Sequence, residues 1–442
     1  MTHKDPHGLP LSGANAASAT AYDRATALFR CYVGDPVAAV DEAIGASPGF
    51  VMAHALKAYL HLLGTEVDAL PVARACLEAA RQHKADAREQ GHLTAIGHLI
   101  EGRWHDASRA LQDVAIEQPR DLLALQTGHQ IDFFTGESRM LRDRIARALP
   151  AWSQGMPGYH AMLGMHAFGL GEAGDYARAE AQGRKAAALE RRDGWAWHAV
   201  AHVLEMQGRQ KDGIAWMRGD TAAWSEDSFF KVHNWWHLAL YHLDLGEIDQ
   251  VLALYDGPIY GTPSPLAMDM LDASAMMWRL ALRGIDVGDR WNAVADGWTP
   301  MARAGIYAFN DMHAMMAFVG AGRTDLQKAV LESQAAVLKG QGDNVMFTRD
   351  VGHAATKAIK AFGDGDYKHT IELILPIRNR AARFGGSHAQ RDLLDLTLIE
   401  AALRAGEYAL ARALTAERLD VKPTSPFNRR LVERATGQAK AV

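Results

Sequence analysis

Residues 174–189 read Gly174-Asp175-Tyr176 followed by Ala-Arg-Ala-Glu-Ala-Gln-Gly-Arg-Lys-Ala-Ala-Ala-Leu, and variants of this opening recur along the chain. A glycine, a short polar residue and an aromatic introduce a run of residues that favour the helix. The triplet returns as Gly102-Arg103-Trp104, Gly365-Asp366-Tyr367 and Gly406-Glu407-Tyr408, with variants at Gly34-Asp35-Pro36, Gly208-Arg209, Gly246-Glu247 and Gly322-Arg323 and weaker members at Gly136-Glu137 and Gly284. Glycine reaches the left-handed conformation that closes one helix before the next opens. From Gly102 onward the members are 34 to 43 residues apart. A unit of that length holding two helices marks an α-solenoid. Ala110, Ala179, Ala186 and Ala411 fall where close helix–helix approach demands a small side chain. Alternating β-branched runs are nearly absent. The expectation is an all-α chain, a right-handed superhelix of about eleven helical hairpins curved far enough to enclose a central cavity. It comprises an N-terminal extension over 1–17 and one domain over 18–437.

Composition narrows the function. The 442 residues are 48% hydrophobic and 22% charged, enough for a large core, and the net charge of −5 gives no basic footprint for nucleic acid. The mildly basic stretch from Arg404 is interrupted by Glu407, Glu417, Asp420 and Glu433, as on a solvated face. Cys31 and Cys76 cannot make a disulfide framework or a cysteine-rich zinc module, and both read as core thiols. The first residues lack the apolar centre of a signal peptide and no stretch has the length of a membrane span, so a cytoplasmic location and no membrane partner are expected. No Gly-x-Ser-x-Gly elbow, Walker loop, dinucleotide fingerprint or His-Glu-x-x-His string occurs. The 20 histidines and 11 tryptophans are what stands out.

The hairpin signature resembles the tetratricopeptide repeat. Three longer strings resemble the tetratricopeptide repeat protein 38 family: His233-Asn234-Trp235-Trp236-His237-Leu238-Ala239-Leu240-Tyr241, Gly385-Gly386-Ser387-His388-Ala389-Gln390-Arg391-Asp392, and Gly8-Leu9-Pro10-Leu11-Ser12 leading to Tyr22-Asp23. The resemblance implies a curved all-helical array. It implies no particular reaction.

Helical-wheel positions locate the histidines. Measured from Trp195, His198, His202 and Glu205 fall at about 300°, 340° and 280°, on a segment otherwise apolar from Trp195 to Met206. From His233, the positions of Asp244, His237, Tyr241 and Asn234 are about 20°, 40°, 80° and 100°. In a hairpin solenoid successive first helices lie side by side, so the two polar strips are expected to face one hollow. His313, His353, and His388 with Arg391 and Asp392, are further candidates at similar depth, and Trp195 and Trp236 adjoin the strips as stacking surfaces.

Three functions compete for these residues. One is a binding protein whose cavity takes a small polar or anionic molecule or a short peptide end, with Trp195, His233, Asn234, Trp236, Tyr241, His388, Arg391, Asp392, His313 and His353 as ligand-binding groups. The second is an enzyme of hydrolase or lyase type using His198, His202, Glu205, His237 and Asp244, with His202–Glu205, His237–Asp244 and His388–Asp392 as histidine–carboxylate pairs for proton transfer. The third is a scaffold for a partner protein. No cofactor is identified outright. A divalent transition metal remains an option because His198/His202 and His233/His237 have the i, i+4 spacing with which one helix offers two imidazoles, Glu205 or Asp244 completing the sphere. Set against all of these is the plain alternative, that buried histidines bond backbone carbonyls and do nothing more.

Overall fold

A computed structural model describes residues 3–437. Helices fill it, and among the described residues only His3–Lys4 and Pro10–Leu11 pair as an antiparallel ladder. Eleven consecutive hairpins carry the chain: Ala16–Cys31 with Pro36–Ala46, Val51–Leu62 with Ala69–Arg81, Ala87–Ile100 with Trp104–Glu117, Leu122–Phe134 with Ser138–Ala148, Tyr159–Glu172 with Tyr176–Leu189, Gly194–Met206 with Gln210–Gly219, Lys231–Leu245 with Ile248–Leu254, Ala267–Leu282 with Arg290–Trp298, Ala308–Gly320 with Thr324–Val337, His353–Gly363 with Tyr367–Ile374, and His388–Arg404 with Tyr408–Val421. Thr221–Ser225, Asp343–Phe347 and Pro426–Ala435 are additional helices. The all-α fold of helical hairpins expected from the repeat is what the chain adopts. No described helix is long and apolar enough to cross a membrane.

The turn glycines do what the repeat requires. Gly102 and Gly174 sit at φ +72° and +84°, where a Cβ is strained, and each ends the first helix of its hairpin. The two helices of a hairpin differ in burial. Tyr159–Glu172 is buried without a break from Ala161 to Leu170, whereas its partner Tyr176–Leu189 buries only Ala179, Gly183, Ala186 and Ala187. First helices are therefore inner and second helices amphipathic and outer. Ala179, Ala186 and Ala411 are buried where helices meet; Ala110 is half-exposed, and Ala107 takes the contact in its place.

By contact the described chain groups into two compact units, one of residues 3–200 and 220–231, the other of 201–219 and 232–437. Each unit closes on itself through helices far apart in sequence, beyond the neighbour contacts of a simple array. In the first unit Gln126 Nε2 donates to Phe29 O at 3.1 Å and the Ser12 N–H to Glu89 Oε1 at 2.8 Å. In the second, Trp278 Nε1 donates to Thr397 Oγ1 at 3.0 Å and Arg279 Nη2 to Ala389 O at 2.5 Å. The N-terminal segment is more than an extension: Leu9 and Leu11 are core residues of the first unit.

Candidate metal centre

The helix Gly194–Met206 begins at Asp193, whose Oδ1 accepts from the Ala196 N–H at 3.0 Å in the manner of an N-cap and whose Oδ2 meets His160 Nδ1 at 2.7 Å. From Trp195 to Leu204 every residue is buried, so the helix is solvated on none of its faces there. His198 belongs to the first unit, its ring stacked on Phe168 at 5.4 Å and edge-on to Phe230 at 4.9 Å. One turn later His202 belongs to the second unit.

Within the second unit, His202 meets the two histidines of Lys231–Leu245. Ring centroids of His202 and His237 are 4.4 Å apart, and those of His233 and His237 are 4.9 Å apart with planes at 89°. One ring nitrogen from each of the three lies within 4.8 Å of the others. These residues are 0–5% exposed. The two helices are pinned together by Tyr241, whose hydroxyl donates to Ala201 O at 2.6 Å and whose ring occupies the space a side chain at Gly213 would fill. Tyr241 is thus a structural clamp between these helices.

Burial sets the protonation of His202 and His237. Desolvation holds His202 well below the ordinary imidazole range, with His233, His388, Lys422 and Arg391 adding to the effect. His237 is lowered for the same first reason, then by His202, His233 and Arg279. Neutral imidazole is the form that binds a metal. His233 carries a further feature. Its Nδ1 is 2.8 and 2.9 Å from the two carboxylate oxygens of Asp272, which lies on Ala267–Leu282. A carboxylate that accepts the hydrogen bond of Nδ1–H keeps the proton on that nitrogen and leaves Nε2 with the lone pair, the arrangement found behind metal-bound histidines. Trp236 stacks on His233 at 5.3 Å and 16°, and the Arg279 guanidinium covers Trp236 at 5.3 Å, so the ring is held from both sides.

Each acid of the three histidine–carboxylate pairs has another partner among the described residues. Glu205 pairs with Lys422, Asp244 accepts from Gln210 and from Ser425 Oγ, and Asp392 pairs with Arg418, which keeps its carboxyl far below the usual range despite burial. His313 Nδ1 donates to Phe309 O at 2.8 Å and His353 Nδ1 to Gln334 Oε1 at 3.0 Å, so both bond their own surroundings. His388 opens a helix capped reciprocally by Ser387 and Gln390, and Arg391 donates to Gly386 O. Asn234 is fully buried on the cluster's helix, and Trp195 lies in the first unit between Phe168 and Phe230. Asp272 was missed in the sequence. The sign was there: Ala267–Leu282 is an apolar helix carrying Asp269 and Asp272 three residues apart, the pattern that singled out the histidine strips.

No protein-family model matches the chain. Among solved structures it is similar to human IFIT1, seen as a dimer with m7Gppp-AAAA, at 12% identity and a TM-score of 0.42 over 97% of this chain and 96% of that one. It is similar to the Cut9–Hcn1 hetero-tetramer of APC/C at 12% identity and 0.41, over 95% of this chain and 76% of that chain. It is also similar to yeast Tom70, at 10% identity and 0.33, over 95% of each.

Proposed function

We propose that this chain is a metal-dependent binding protein in which His202, His233 and His237 hold a divalent transition-metal ion that in turn takes a small anionic ligand. The observation that carries the reading is the approach of three buried imidazoles, with a nitrogen of each within 4.8 Å of the others, one of them backed by Asp272. Imidazole suits zinc, copper, nickel and iron. Imidazoles bring no charge, so the ion keeps its own; Asp272 offsets part of it, and a carboxylate or phosphate ligand offsets the rest. His388, Arg391 and Lys422 act on His202 through the field they set up, and that field favours an arriving anion. Membership of the tetratricopeptide repeat protein 38 family is part of the reading, since two of the three resembling strings supply His233 and His237 of the cluster and His388 and Arg391 among its basic neighbours.

The test is elemental analysis of the full chain purified without chelators, followed by titration of stripped protein with zinc and with cobalt, whose absorption reports tetrahedral nitrogen ligation. Stoichiometric uptake is expected. His202→Ala and His237→Ala should abolish it with helical content retained, and Asp272→Asn should weaken affinity about 10–100-fold. A folded wild-type protein that takes up neither ion sinks the proposal.

A further inference from the structure

Segment 422–428 is tied back onto the two helices that carry the histidine cluster, and the ties fall on their histidine-bearing faces. Side chains three or seven residues apart on a helix share a face. Glu205 stands three residues after His202 on Gly194–Met206, and Asp244 seven after His237 on Lys231–Leu245, each close to the end of its helix. The segment covers both acids. Lys422 pairs with Glu205, and these two side chains are only 13% and 16% exposed. Thr424 Oγ1 donates to Gly208 O at 3.1 Å, and Ser425 Oγ donates to Asp244 Oδ1 at 2.6 Å. Phe427 lies under the Arg283 guanidinium at 3.4 Å, and Arg283 Nη1 donates to Leu243 O at 2.6 Å. That joins the same segment to the end of the second histidine helix.

Ser425 has two tasks. Its hydroxyl oxygen accepts from the Asn428 N–H at 3.1 Å and so caps Pro426–Ala435, while its proton goes to Asp244. Cap and tie are therefore made together. Most of the ties are polar, and Pro423 and Thr424 among them are exposed; the buried apolar side chains of the last helix, Leu431 and Ala435, come only after the tied stretch. On its other side the helix is held by Arg418 Nε, which donates to Asn428 Oδ1 at 2.7 Å, and by the pairing of Arg434 with Glu400 at 2.9 Å. A segment fastened by surface polar bonds opens at lower free energy than the core. The three histidines of the cluster are 0–5% exposed, so an ion reaches them only when the packing over them opens. We propose that segment 422–427 is a latch whose opening admits the metal ion and lets it leave. The proposal rests on the metal reading above and adds how that site is gated.

The experiment is stopped-flow uptake of cobalt by the stripped full chain, followed by visible absorption. A Cβ at position 208 would lie 3.9 Å from the Thr424 Cβ, a separation that a disulfide spans, so Gly208→Cys with Thr424→Cys locks the latch on oxidation and frees it on reduction. Gly208 turns at φ +66°, so the reduced double variant serves as the reference for its own oxidised form. Cys31 and Cys76 are buried in the first unit and do not compete. The oxidised form should take up cobalt about tenfold or more slowly than the reduced form, to the same final amount. Ser425→Ala should speed uptake and release alike, each about fivefold or more, which leaves the affinity unchanged. Circular dichroism verifies that each form is folded. Equal rates in the oxidised and reduced forms, or unaltered rates in Ser425→Ala, overturn the latch and leave the metal reading standing. A wild-type protein that takes up no cobalt overturns both.

Discussion

Asp132 and Arg144 show at the scale of one residue how a charge is held inside this protein. Both side chains are 1% exposed, Arg144 Nε donates to Asp132 Oδ2 at 2.7 Å, and Nη2 reaches Ser108 Oγ at 2.7 Å. Removing one partner of such a pair leaves the other charged and desolvated. Asp132→Ala is therefore expected to cost about 3–5 kcal/mol in urea unfolding, while replacing both residues with apolar ones of similar volume should cost far less. The histidine cluster follows the same rule with a different solution: no acid lies in its midst, so His202 and His237 stay neutral, and only His233 has a carboxylate behind it. His129 and Asp132 lie three residues apart on Leu122–Phe134, within reach of pairing. Asp132 instead goes to Arg144, and His129 Nε2 bonds Met165 O at 3.1 Å, because guanidinium offers two donors to a carboxylate and imidazole only one.

Between elements, fit depends on glycines that are not at turns. Gly128, on Leu122–Phe134, leaves room for Arg144 of the next helix; a Cβ there would lie 2.6 Å from Arg144 Nη1. Gly213 does the same for the Tyr241 ring. Gly128→Ala and Gly213→Ala should each destabilise by about 1–3 kcal/mol through overpacking, although alanine is the better helix former, and thermal unfolding would show it. A loss confined to Gly213→Ala would mean Arg144 can move aside. At helix starts, the reciprocal pairing of Ser387 with Gln390 satisfies two backbone or side-chain donors. Ser387→Ala should cost about 1 kcal/mol. This cap accounts for Ser387 and Gln390 in the Gly385–Asp392 string.

For the whole molecule, stability against pH is a sum of buried groups with opposite signs. Burial, aided by Arg144, lowers His129 to about 3 in the folded state, against about 6.5 unfolded. Its contribution is complete above pH 6.5 and is lost as pH falls toward 3, because the unfolded chain binds the proton first. Asp311 is raised by burial to about 7, with Gln334 opposing, so its contribution is present at low pH and is lost as pH rises from about 4 through 7. The stability advantage of wild type over His129→Gln should shrink between pH 7 and pH 5, by at most about 1.4 kcal/mol per pH unit. Asp311→Asn should gain on wild type as pH rises over the same interval. Urea unfolding at several pH values tests both, and parallel curves for wild type and variants would contradict these protonation states.

The repeat of glycine, polar residue and aromatic determined the helical hairpins, their number and their inner and outer members, because helix ends and amphipathic stripes are local properties written at fixed spacing. The strips on Gly194–Met206 and Lys231–Leu245 likewise named His202, His233 and His237 as inward residues, since a wheel angle needs no partner. Partner choice was decided by tertiary structure alone. Lys422 lies 217 residues from Glu205, Ser425 181 residues from Asp244 and Asp272 39 from His233, so no spacing rule couples them. The closure of each unit on itself arises from contacts of the same kind: it depends on which distant helix arrives with the better-matched charge and shape.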